Sequence, residues 1–242
     1  MTRPEIRDMS AHRERMNAAL RLDPSECVAL TIDMQRMYLD PAVGAKLLPT
    51  DEAHAVLAAS ASFLDAVRAL GVPVVHAYVN RRPEEIAARI GNGSFSVASR
   101  VAAGPTGHRD VPDRLEGSPQ AELPSVLVRD GDIHVRTKKT SDCFYGTDLD
   151  LLLARALRPT TAILLGINTE TCVYATAFAT SIRGLRPVVA SDCVGTHRGA
   201  DHGWMALELM SRTIAWVLSS HEIVAKLSAS REVPAGRIVA HA

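Results

Sequence analysis

Three side chains have the types and settings that chemistry requires: Asp33, Lys138 and Cys172. Cys172 ends the run Gly166-Ile167-Asn168-Thr169-Glu170-Thr171-Cys172, which reads as the turn from a strand into a helix. A cysteine in the first turn of a helix meets unpaired backbone N–H groups, which favour the thiolate and lower the thiol pKa. The same groups can hold a developing oxyanion, so nucleophile and oxyanion hole can share one element. The competing reading is a small buried cysteine that only fills core. Asp33 closes the apolar run Cys27-Val28-Ala29-Leu30-Thr31-Ile32. It is either a general base toward a thiol or water, or a turn carboxylate. Lys138 and Lys139 follow a strand expected at Asp132 to Val135. An ammonium there would stabilise a thiolate beside an acid. A solvated lysine is the alternative, and is the preferred reading for Lys139.

The elements that must position these residues alternate between strand and helix. Strands are expected over 27–33, 72–79, 132–135, 161–165, 187–190 and 213–218. Helices are expected from a Thr50 cap to Gly71, briefly from Pro83, from a Thr147 cap, over 171–183, over 200–212, and from a Ser220 cap onward. Residues 1–25 read as an N-terminal helical arm before a single domain over 26–242. The pattern predicts an α/β fold: a three-layer αβα sandwich around a mostly parallel, doubly wound, Rossmann-like sheet of about six strands. Such sheets bind ligands at the carboxyl ends of their strands, where Asp33 and the Cys172 turn fall. The stretch 80–125 is irregular, with loop signals at Gly91-Asn92-Gly93-Ser94 and Gly104-Pro105, and suggests a functional loop.

Composition narrows the function classes. The 242 residues carry 27 Lys plus Arg and 27 Asp plus Glu, a formal charge of zero that argues against a nucleic-acid or membrane-surface binder. Aromatic residues at 4% disfavour a base-stacking platform. No run of about 18 apolar residues is present, and the first twenty residues have no apolar leader. Four scattered cysteines without a CxxC pair suggest free thiols in a reducing compartment. A cytoplasmic protein acting on a small molecule is the expectation.

Taken together, Val28 to Gln35 (VALTIDMQ), Lys138 with the following TSDCFYGTDLDLLL, and GINTETCVYATAFATSIRG resemble the isochorismatase-like cysteine hydrolases. That family includes nicotinamidases, N-carbamoylsarcosine amidohydrolases, biuret hydrolases and ureidoacrylate amidohydrolases. The resemblance spans roughly residues 26–228 and implies an Asp–Lys–Cys triad on Asp33, Lys138 and Cys172. Lys138 takes the role because the family lysine lies nine residues before the threonine matching Thr147. The resemblance also implies a cis peptide at Ile167–Asn168 and an oxyanion hole from the backbone N–H groups of Asn168 and Cys172. Gln35 would support the site, with Tyr38, Phe144 and Thr169 as pocket residues. Met37, Arg81 and Arg82 are further pocket candidates, although solvated surface is the preferred reading of both arginines. Asn168 stands where the family often has Ala or Thr, and Cys143 where Ala or Ser is common.

The resemblance implies C–N bond hydrolysis in a small amide, carbamoyl or ureido compound through a thioester on Cys172. The alternatives are vinyl ether hydrolysis of the isochorismatase type and a catalytically silent binding protein. No cofactor is expected. No metal is expected either, because Asp51 and His54 lack the D-x-H spacing of the nicotinamidase site and His76 stands apart. A homo-oligomer, dimer or tetramer, is expected by resemblance, with the N-terminal arm and the Trp204/Trp216 region as interface material.

Overall fold

The computed structural model describes residues 5–88, 98 and 113–231. The Gly91–Ser94 and Gly104–Pro105 loop signals lie outside the described residues, as do the ends of the chain.

Six strands form one sheet: β1 (Cys27–Ile32), β2 (Val74–Val79), β3 (Ile133–Lys138), β4 (Thr161–Ile167), β5 (Arg186–Gly195) and β6 (Trp216–Leu218). Their order is β3-β2-β1-β4-β5-β6, and every pairing is parallel. The central strands β1 and β4 are buried at every position, which is why their sequences are mostly apolar and show no alternation. One apolar cluster joins the helices Thr50–Ala69 and Ser220–Arg231 to one face through Phe63, Leu64, Val67, Ile223 and Leu227. The other face is covered through Leu149, Leu153, Ala177 and Met210 from Leu149–Leu157, Tyr174–Ile182 and Ala200–Thr213. Helices on both faces make the expected three layers.

Several local expectations need correction. Thr50 is the first helical residue, and Pro49 occupies the cap position without a side-chain bond. Strand β3 runs on to Lys138, so the lysine ends the strand and does not follow it. The terminal helix is capped by Ser219, whose Oγ accepts from Glu222 N at 3.3 Å while Glu222 Oε2 accepts from Ser219 N at 2.8 Å. That reciprocal pair is a capping box. Ser220 instead donates to Asp192.

The N-terminal segment forms a helix at Ser10–Ala19 that lies against the β6 edge. Asn17 Nδ2 donates to Val217 O at 2.9 Å, Trp216 Nε1 donates to Met16 O at 3.2 Å, and Arg13 pairs with Glu208 at 3.0 Å. Among the described residues no helix is long and apolar enough to cross a membrane.

The strand order reverses direction between β1 and β4, which opens a crevice beyond their carboxyl ends. Register places Ile32 beside Gly166, so Asp33 and the Ile167-Asn168 turn emerge next to each other. Gly166 is required there. Its φ is +142°, and a Cβ would stand 2.1 Å from Ile32 O.

Candidate active site

Asp33 leaves β1 with φ +50°, a left-handed conformation that Asp tolerates better than most residues. Its amide donates to Ala77 O at 2.9 Å, and its Oδ1 accepts from Val79 N at 3.2 Å. Lys138, across β2 at the end of β3, donates from Nζ to Asp33 Oδ2 at 2.6 Å. Both side chains are 0% exposed. The register of β2 against β3 shifts between Ala77 and Val79, immediately before Val79 pairs with Lys138. Such irregularities re-aim side chains at functional edges. Burial works against the Lys138 ammonium, but the charge and hydrogen bond of Asp33 together with the neighbouring Cys172 and Cys143 outweigh it and hold the lysine above its ordinary pKa.

Cys172 sits in a π-helical turn, Thr169–Val173, that leads into the helix Tyr174–Ile182. The preceding Ile167–Asn168 peptide is cis. Asn168 O accepts from the amides of Thr171 and Val173, each at 3.2 Å, which closes the turn. Cys172 is only partly exposed, and Thr171 Oγ1 stands 3.9 Å from its sulfur.

The expected lowering of the Cys172 pKa is overturned. Burial first, and then the negative charge of Asp33, push the thiol up, while Lys138 and Arg114 pull the other way. The resting sulfur is therefore a thiol, beside a carboxylate that can receive its proton. Cys143, fully buried nearby, is pushed up to about 12, chiefly by burial.

The turn is anchored from the loop after β5. Asn168 Oδ1 accepts from His197 N at 3.2 Å and from His197 Nδ1 at 2.7 Å. Glu170 Oε1 accepts from Thr196 Oγ1 at 3.0 Å and pairs with Arg198 at 2.6 Å. His197 had no recognisable spacing in the sequence. Its partner lies 29 residues away, and only the pairing of β4 with β5 brings them together.

The remaining candidates divide. Gln35 is fully buried, and its Nε2 donates to Val79 O at 2.7 Å and Ala121 O at 2.8 Å. Its Oε1 has no partner among the described residues. Tyr38 is buried and its ring lies 5.9 Å from that of His197. Thr169 is buried within the turn. Phe144 is buried in the cluster that also takes in Cys172, with the Arg183 guanidinium 4.1 Å from its ring centre. Met37 is buried in the opposite cluster.

Two surface readings are corrected. Arg81 is 4% exposed, whereas Arg82 is at the surface and pairs with Glu85 at 2.8 Å. Lys139 is also tied down, to Glu85 at 2.7 Å and to Asn80 O.

Asp51 and His54 stand on the Thr50–Ala69 helix. His76 is committed within the sheet, with Thr31 Oγ1 at 2.7 Å and Asp132 Oδ2 at 3.1 Å. Among the described residues no cluster of three or more His, Cys, Asp or Glu is arranged to hold a metal ion.

Fold and site together define a parallel α/β protein with an acid, a lysine and a cysteine gathered at the switch point of the sheet. The family described as the isochorismatase domain matches residues 27–222. The chain thus belongs to the isochorismatase family. Maleamate amidohydrolase from Pseudomonas putida is 28% identical over 173 residues, covering 72% of this chain and 74% of the relative. A cysteine hydrolase from Pseudomonas syringae superposes with a TM-score of 0.68 at 21% identity, over 95% of this chain and 100% of that one. N-carbamoylsarcosine amidase from Thermoplasma acidophilum gives 0.59 at 23% identity, over 81% and 96%. At these identities the two solved structures speak for the fold.

Proposed function

We propose that this family member hydrolyses a C–N bond in a small amide or carbamoyl compound, with Cys172 as nucleophile. The observation that carries the reading is the fully buried Lys138–Asp33 pair, joined at 2.6 Å, beside a partly exposed thiol whose pKa burial and then Asp33 raise. A relative that is an amidohydrolase by name supports the same chemistry.

In the proposed mechanism Asp33 takes the Cys172 proton as the thiolate attacks the substrate carbonyl. The backbone N–H groups of Asn168 and Cys172 receive the oxyanion. Lys138, bonded to Asp33, orients that carboxylate and stabilises the charge that forms during attack. The tetrahedral intermediate collapses with loss of the C–N bond, and protonated Asp33 gives its proton to the leaving nitrogen. That leaves a Cys172 thioester and ammonia or an amine. Asp33 then deprotonates a water, which attacks the thioester. Collapse releases the acid and returns the proton to sulfur. Gln35, Tyr38 and Thr169 are the proposed pocket residues, with Phe144 behind the cysteine.

The test is ammonia release from nicotinamide, N-carbamoyl amino acids, biuret, ureidoacrylate and maleamate, with wild type beside Cys172→Ala and no added metal. Release from at least one amide that vanishes in the variant is expected. Release that survives in Cys172→Ala, or pyruvate from isochorismate with no amide turned over, would overturn the reading. Oligomerisation is part of the proposal: Trp204, Met205 and Leu209 stay about half exposed on one helix. A monomer in sedimentation at micromolar concentration would remove it.

A further inference from the structure

The loop after β5 grips the nucleophile's turn at two points, and the grip through His197 has a role that the acid–lysine–cysteine mechanism leaves unassigned. Strand β5 ends with Gly195 beside Ile167, so Thr196, His197 and Arg198 fall against the turn that begins at Asn168. Thr196 is 1% exposed and tied on two sides. Its N–H donates to Glu52 Oε1 at 3.1 Å, its Oγ1 donates to Glu170 Oε1 at 3.0 Å, and the same Oγ1 accepts from Arg198 N at 3.1 Å. His197 thus projects from a fixed base.

Asn168 is 3% exposed and meets His197 twice, through the backbone N–H at 3.2 Å and the ring Nδ1 at 2.7 Å. A backbone N–H only donates, so the side-chain atom facing it is the Asn168 oxygen. The ring nitrogen that meets the same oxygen therefore carries a proton. The Tyr38 ring lies 5.9 Å from the imidazole, and its hydroxyl accepts from Arg114 Nη1 at 2.9 Å. The Asn168 carbonyl is committed as well, accepting from the amides of Thr171 and Val173. With side chain and carbonyl both held, the Asn168 N–H keeps one direction. An oxyanion donor acts most strongly when its direction is set before the charge forms.

We propose that His197 is a positioning residue: through the Asn168 side chain it fixes the direction of the N–H that receives the oxyanion. The inference rests on the Cys172 acyl chemistry proposed above. His197 acts through Asn168 and touches no reacting atom.

Two reactions of one sulfur test it without an identified amide. With 4-nitrophenyl acetate the Cys172 proton passes to Asp33 and the sulfur bonds the carbonyl carbon. The tetrahedral oxyanion then collapses, 4-nitrophenolate leaves, and an acetyl thioester remains. Iodoacetamide alkylates the same sulfur at a saturated carbon with loss of iodide, and no oxyanion forms. His197→Phe keeps a flat ring beside Tyr38 and removes the Nδ1 donor. Its acetylation rate should fall about 10- to 100-fold, as for a misdirected oxyanion donor, while alkylation stays within about twofold. His197→Asn offers an amide N–H near the place of Nδ1 and should recover most of the acetylation rate. Asn168→Ala keeps the backbone N–H, loses the anchor and should match His197→Phe. Combining those two changes should cost nothing further.

Equal falls in acetylation and alkylation mark a merely structural role and overturn the inference. A further loss in the double variant does the same. Where His197→Phe fails to fold, Asn168→Ala in the same two reactions carries the test. An acetyl adduct on Cys172 that forms as fast in His197→Phe as in wild type removes the inference alone. No acetyl adduct on Cys172 in wild type removes the acyl reading, and this inference with it.

Discussion

Replacing Lys138 by Met removes one member of a buried ion pair and leaves the other in place. Asp33 would keep its Val79 N–H bond at 3.2 Å and lose its 2.6 Å partner, with no solvent exposure to compensate. Stranding one charge of such a pair costs about 3–5 kcal/mol. In a chain of this size each kcal/mol moves the melting temperature by about 2–4 °C, so a fall of about 6–20 °C is expected. Met fills the lysine stem's volume, which isolates charge from packing. The double variant Asp33→Asn/Lys138→Met removes both charges and should melt several degrees above the single variant. The pairing also has a pH signature. Burial opposes the Lys138 charge, but Asp33 together with Cys172 and Cys143 holds the lysine above its ordinary pKa. The native state therefore holds that proton more tightly than the unfolded chain. Its contribution is complete below about pH 10.4 and declines as pH rises further. Thermal unfolding followed by circular dichroism between pH 7 and 11 reads both effects. A fall under 2 °C for the single variant, or a double variant no more stable than it, would refute the argument.

Two further perturbations probe the frame around the site. Gly166→Ala puts a Cβ 2.1 Å from Ile32 O and 2.8 Å from Ile32 C and N, with φ at +142°, so no soluble folded protein is expected. A variant melting within 3 °C of wild type would refute that. His76 is buried, which pulls its pKa down to about 4 despite the nearby Asp132. The unfolded chain then binds a proton that the native state refuses. Stability should fall as pH drops from about 6.5 toward 4, by about 3 kcal/mol from this group. Urea unfolding at pH 7 and pH 4 should show a smaller drop for His76→Gln than for wild type, and an equal drop would contradict the assignment.

The layered parallel fold was legible because β1 and β4 are buried along their whole length and leave mostly apolar runs. The strand-end positions of Asp33 and the Cys172 turn follow from the same pattern. What the sequence hid was set by tertiary contact. The helix-terminus argument for a lowered Cys172 pKa omitted the burial and the neighbouring Asp33, which reverse its sign. Arg81 reads as surface because arginines seldom bury, whereas its backbone pairs with residues 114–116 and its side chain lies 3.6 Å from Asp113. Arg114 belongs to a stretch without periodicity, so nothing local marks it. Its partner Tyr38 is 76 residues away. The Ser219 cap was missed by one residue, the usual error at helix ends.

The central claim is a covalent intermediate on one sulfur. Intact-mass spectrometry after rapid acid quench, with the hydrolysed amide in excess and the adduct mapped by proteolysis, tests it most directly. The account predicts a transient acyl adduct on Cys172, absent in Cys172→Ala. Turnover with an adduct on Cys27, Cys143 or Cys193 in place of Cys172 would contradict it.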